Sequence, residues 1–144
     1  MPADNPIFHY EALEYAEEFY GAYKQLRAGY NITTSWPRYL LLCQAVELGL
    51  KAFLARFGVP EGELRKPPFG HKIEQLIAEA LERGLNIGTR AESEIKLLHR
   101  AHARHWARYP RPPQESGEPV FVIEDFEPYV RELLEAVSKS IRGS

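Results

Sequence analysis

The chain has 144 residues, 44% of them hydrophobic, and a formal net charge of −2. Such a length suits a single domain, and a core of that size needs neither a disulfide nor a metal to hold it together. The small negative balance excludes a protein that coats nucleic acid through bulk charge, so any phosphate site must be a local patch.

The opening stretch, Met1-Pro-Ala-Asp-Asn-Pro, has no basic segment followed by an apolar one, and no run approaches the ~18 apolar residues of a membrane span. A cytoplasmic location without membrane contact is expected. Apolar residues then recur with a 3.6-residue period in five stretches, each predicting an amphipathic helix. The first runs from Phe8 to Leu26, with Phe8, Ala12, Tyr15, Phe19, Tyr23 and Leu26 on one side, Glu14, Glu17 and Glu18 toward water, and Gly29 as a stop.

The second helix is predicted to start at Pro37, tolerated in a first turn because its missing N–H would be unpaired there. It carries Tyr39, Leu42, Val46, Leu50, Phe53 and Phe57, with Leu41, Leu48 and Leu54 on the flanks, and Gly58 ends it. So broad an apolar surface marks a central helix. The lone cysteine, Cys43, lies inside it and reads as a small buried hydrophobe, which leaves no intrachain disulfide and favours a reducing compartment.

Residues 59–70 hold three prolines and two glycines and read as a loop. A third helix over His71–Arg83 places Ile73, Leu76, Ile77, Ala80 and Leu81 together, closed by Gly84. Thr89 with Glu92 three residues on is a capping-box pattern for a fourth helix reaching Arg108. From Tyr109 to Glu118 the chain is too rich in proline to be regular, and Val120–Ile123 reads as a short extended piece. A fifth helix from Glu124–Asp125 carries Phe126, Val130, Leu133, Val137 and Ile141 on one face. Five apolar stripes that must be buried against one another predict an all-α bundle.

The fourth helix carries the chemistry. Lys96, Arg100, Arg104 and Arg108 follow at i, i+4, and stacked cations repel by some tenths of a kcal/mol per pair unless a counter-charge intervenes. That counter-charge is either intramolecular, from Glu92 and other carboxylates, or a phosphate, which arginine grips in a planar fork. Ile95, Leu98, His102, His105, Trp106 and Tyr109 lie along another side of the helix. His102 and His105 read either as satisfied core or interface residues or as groups that titrate near neutrality and serve acid–base work. His99, His102 and His105 step by three, but His99 and His105 stand on opposite sides of a regular helix and no further ligand pattern accompanies them, so no metal or cofactor is expected.

Three segments resemble the HEPN superfamily of compact α-helical domains found in prokaryotic defence and toxin–antitoxin systems. Ala45-Val46-Glu47-Leu48-Gly49-Leu50-Lys51-Ala52 is similar to the Ala-x-Glu-x-x-Leu-Lys-Ala segment of a central HEPN helix. His71-Lys72-Ile73-Glu74-Gln75-Leu76 is similar to the His-Asp-Leu-x-x-Leu entry into the next helix, and Arg108-Tyr109-Pro110 to the Arg-Tyr-Pro ending of the sacsin-type subset. Each also has a plain reading: Glu47 and Lys51 as an i, i+4 ion pair, His71 at a helix start, Pro110 as a terminator.

The resemblance implies a metal-independent ribonuclease acting as a homodimer, with an arginine and a histidine four to six residues apart. Arg100 and His105 meet that spacing on a helix; Arg65 and His71 meet it only across a proline-rich loop. By the resemblance, Arg100 stabilises charge on the scissile phosphate, His105 does acid–base work, and the RNA 2′-hydroxyl attacks. On a straight helix Arg100 and His105 are about 140° apart, so they converge only at a bend or across two subunits. The other reading is a non-catalytic nucleotide-binding module using Arg104, Arg108, Tyr109 and His102, or a dimerisation or antitoxin-like module whose partner protein is encoded nearby.

Overall fold

A computed structural model describes residues 6–29, 36–101 and 125–143. Six helices lie among them: α1 (Phe8–Gly29), α2 (Trp36–Arg56), α3 (Glu61–Leu64), α4 (Ile73–Glu82), α5 (Thr89–Ala101) and α6 (Glu127–Arg142). No described residue is in a strand, and no described helix is long and apolar enough to cross a membrane. Residues 102–108 of the predicted fourth helix, Val120–Ile123 and the proline-rich stretch before it lie outside the described residues.

The central position expected of the second helix holds, since α2 packs against each of the other five. Tyr39, Leu42, Ala45, Val46, Leu50, Phe53 and Leu54 are buried along it, and one contiguous core joins them to residues of the other helices. Each such large side chain withdrawn from water stabilises the fold by roughly 1.5–3 kcal/mol. Gly49 lets α6 approach closely: a Cβ there would stand 2.8 Å from Leu134 Cδ2. The predicted face of α6 is the buried one, with Phe126 at its N-cap and Val130, Leu133, Val137 and Ile141 along it.

The face of α1 differs from expectation. Ala12, Leu13, Ala16 and Tyr23 are buried, whereas Tyr15 is 51% exposed. Two alanines four residues apart lie on the buried strip, and Tyr15 falls off it toward solvent. Polar ties then fix α1 to α6. Arg142 forks onto Glu17 at 2.7 and 2.8 Å, and buried Glu127 accepts from Tyr20.

The predicted loop at 59–70 contains the single turn α3. Its N-cap Pro60 is extended, Glu61 and Glu63 occupy its first turn, and Leu64 is driven into the core. Gly58 precedes it at φ +107°, a left-handed conformation that side-chain-bearing residues avoid, and so ends α2 where expected.

The start of α5 is capped from elsewhere in the chain. Thr89 is itself helical, the Glu92 carboxylate accepts from Lys96 at 2.8 Å, and the Gly88 N–H donates to Glu132 of α6 at 2.7 Å. At the other end Tyr39 Oη donates to the Leu98 carbonyl at 2.6 Å, a buried bond that ties α5 to α2. Ala91, Ile95 and Leu98 bury the inner face of α5, so Arg100 is carried on its exposed side.

Candidate functional site

Of the residues expected to act on or bind RNA or nucleotide, Arg100 is the one the described structure contains. His105, His102, Arg104, Arg108 and Tyr109 lie outside the described residues, as does the geometry between Arg100 and His105. On the described half of the basic ridge the counter-charge is intramolecular. Lys96 Nζ meets Glu92 at 2.8 Å, one turn back on α5, and Arg100 Nε donates to Glu74 Oε1 of α4 at 2.9 Å. Both Arg100 and Glu74 face solvent, with side chains 62% and 44% exposed, so this pair is worth at most about 1 kcal/mol.

Beside that pair lies a second charged group that spacing alone does not reveal. Glu47 on α2 has a carboxylate only 13% exposed, and its Oε2 accepts from Lys51 Nζ at 2.9 Å and lies 2.9 Å from His71 Nδ1. The Lys51 side chain is 11% exposed and the His71 ring 87%. A carboxylate that already takes a proton donor from lysine acts as an acceptor, so Nδ1 is the protonated ring nitrogen and Nε2 stays free of that bond. His71 sits just ahead of α4, and Glu74 is in the first turn of that helix.

His99 joins the two groups electrostatically. Burial lowers its pKa from the ordinary value, and the carboxylates of Glu74 and Glu47 partly oppose the shift. The imidazole is therefore held toward its neutral form next to both acids. The nearby Cys43 thiol is pushed up by burial and by the Glu47 charge, which keeps it from being a nucleophile.

Glu47 and Lys51 from α2, His71 and Glu74 from the start of α4, and His99 and Arg100 from α5 thus form one polar edge. It is an exposed surface: two clefts of about 510 and 400 Å³ lie elsewhere, one between the start of α1 and the end of α2, the other between α1 and α6, and neither is lined by an α4 or α5 residue. Among the described residues no three His, Cys, Asp or Glu side chains converge as a metal site requires. The sequence signals available for this edge were the i, i+4 spacing of Glu47 and Lys51 and the placement of His71. The Glu47–His71 and Glu74–Arg100 partnerships, 24 and 26 residues apart, leave no periodic trace.

Fold and edge together define an all-α bundle with a charged surface built from three helices. Comparison with known protein families, with curated proteins and with solved structures finds no match for this chain.

Proposed function

We propose that the chain is a HEPN-like domain that holds RNA phosphate along the α5 edge and cleaves RNA without a metal, as a homodimer. The observation that carries this reading is Arg100: an exposed guanidinium that donates to the half-exposed Glu74 carboxylate. A phosphate oxygen offers the same acceptor geometry with more charge, so exchange of Glu74 for phosphate costs little and gains a charge-assisted fork. In this reading Arg104 and Arg108 supply further phosphate contacts, Tyr109 and His102 supply stacking and hydrogen bonding, and His105 brings acid–base capacity. RNA cleavage in EDTA, lost in both Arg100→Ala and His105→Ala variants that remain folded, tests the reading; cleavage that survives both changes refutes it.

One observation favours a second reading. Lys96 and Arg100 each already have an acidic partner in the chain, which is what a self-neutralised face of a binding or antitoxin-like interaction module requires. As an interaction module the chain is expected to be a dimer by light scattering that neither cleaves RNA nor binds nucleotides; as a nucleotide-binding module it is expected to show saturable nucleotide binding that Arg104→Ala or Arg108→Ala weakens.

A further inference from the structure

We infer that His71, oriented by Glu47, is an acid–base residue of this edge for RNA cleavage; the inference rests on the RNA reading above. Three observations carry it. The first is orientation: Glu47 fixes the imidazole through Nδ1 at 2.9 Å and is itself fixed by Lys51 at 2.9 Å, so the ring is held by a carboxylate that is anchored in turn. That is the arrangement that gives a histidine base a defined tautomer and direction. The second is access: the acid and its lysine are nearly buried while the imidazole is almost fully exposed, so the free nitrogen meets whatever lies on the edge. The third is placement. Glu74, three residues beyond His71, holds Arg100, so the imidazole and the guanidinium flank the same short stretch of surface.

An i, i+4 ion pair placed for stability alone needs no third member, and an exposed histidine placed by chance has no reason to share the buried carboxylate. Glu47, Lys51, Lys72 and Glu74 around His71, with His99 and Arg100 across from it on α5, give the edge both signs of charge. Phosphate is drawn to Arg100, and the ribose next to it is brought toward His71.

In the reaction, His71 Nε2 takes the proton of the RNA 2′-hydroxyl as O2′ bonds to phosphorus. The P–O5′ bond breaks on the opposite side, O5′ takes a proton from water, and the imidazolium returns its proton to solvent. The products are a 2′,3′-cyclic phosphate and a 5′-hydroxyl. Nothing is oxidised or reduced. Arg100 neutralises charge on the non-bridging oxygens, and Glu47 is a positioning residue that acts through His71.

The test uses the full chain and a short RNA oligonucleotide in EDTA. His71→Ala, which removes an exposed ring, is expected to stay folded by circular dichroism and to lose about 10²–10⁴-fold in kcat, the usual range for a general base. Added imidazole is expected to restore part of that loss, and Glu47→Gln to lower kcat while leaving KM for RNA unchanged. Full-rate cleavage by His71→Ala overturns the inference and leaves the RNA reading standing. A loss that imidazole does not restore also overturns it, by assigning the ring a binding role. A wild-type chain that does not cleave RNA overturns both.

Discussion

Replacing Glu47 by methionine removes the carboxylate that Lys51 and His71 share while keeping the length of the side chain. The Lys51 ammonium then remains within a side chain only 11% exposed, without its acidic partner. Breaking a fully buried pair costs about 3–5 kcal/mol because an uncompensated charge is left behind. Here a tenth of each side chain still reaches water and the lysine stem can extend outward, so we expect less than that, about 2–3 kcal/mol. At the usual ~2–4 °C per kcal/mol for a chain of this length, that corresponds to a fall in Tm of roughly 5–10 °C. His71→Ala is expected to change stability by no more than about 0.5 kcal/mol, since the ring is exposed. Adding Lys51→Met to Glu47→Met removes the stranded charge and should return most of the loss. Urea unfolding of the three variants measures this. A cost below about 1 kcal/mol for Glu47→Met, or no recovery in the double variant, refutes the account of Glu47 and Lys51 as a nearly buried pair whose members depend on each other.

Further expectations follow from the same contacts. Glu74→Gln removes the acid that competes for Arg100 and should tighten binding of an RNA oligonucleotide about two- to five-fold, the equivalent of ~0.5–1 kcal/mol, read by fluorescence anisotropy at low salt; unchanged affinity removes Arg100 from the phosphate site. Gly49→Ala gains about 1 kcal/mol of helix propensity but forces a Cβ to within 2.8 Å of Leu134, at a cost of roughly 1–3 kcal/mol, so it should be neutral to destabilising. Gly21→Ala meets no atom within 4 Å and should instead stabilise by up to about 1 kcal/mol; like signs in thermal melts would contradict the packing of α2 on α6. His99 has its folded pKa lowered by burial, so its contribution is present above the unfolded value of about 6.5 and is lost as pH falls below it. His99→Gln should therefore lose less stability than the wild type between pH 7.5 and pH 5, as read from urea midpoints at roughly those two values.

Periodicity was enough for the helices because each has to bury one stripe, and the buried residues of α2, α4 and α6 are largely those with the 3.6-residue recurrence. It failed where size and spacing disagree. On α1 the aromatic Tyr15 outweighs Ala12 and Ala16 in any reading by hydrophobicity, yet the alanines are buried and the tyrosine is half exposed. It failed again at α3, where a single turn set between prolines leaves one apolar residue, Leu64, as its whole signal. The cap of α5 failed for another reason: Thr89 and Glu92 have the right spacing, but Thr89 is itself helical, and the residue ahead of it, Gly88, donates its N–H to Glu132, 44 residues away. Fully buried Arg38 is of the same kind, since its Nη2 bond to Tyr23 and its stacking over that ring depend on how α1 meets α2.

The charged edge divides along the same line. Lys96–Glu92 and Glu47–Lys51 were legible because both partners lie on one helix four residues apart. Glu74–Arg100 and Glu47–His71 needed three helices to come together, which no one-dimensional pattern encodes. This division bears on function. A carboxylate that stabilises its own helix is satisfied by its i, i+4 lysine, yet Glu47 takes a second, exposed partner from outside that helix. Glu74 likewise reaches across to α5 instead of to a neighbour on α4. Surface pairs of this kind contribute about 0–1 kcal/mol each, so stability alone gives weak reason to gather them on one edge. A common charged ligand gives a stronger one, because displacing the Glu74–Arg100 pair costs little while it would bring an arginine to a phosphodiester beside a histidine that Glu47 keeps oriented.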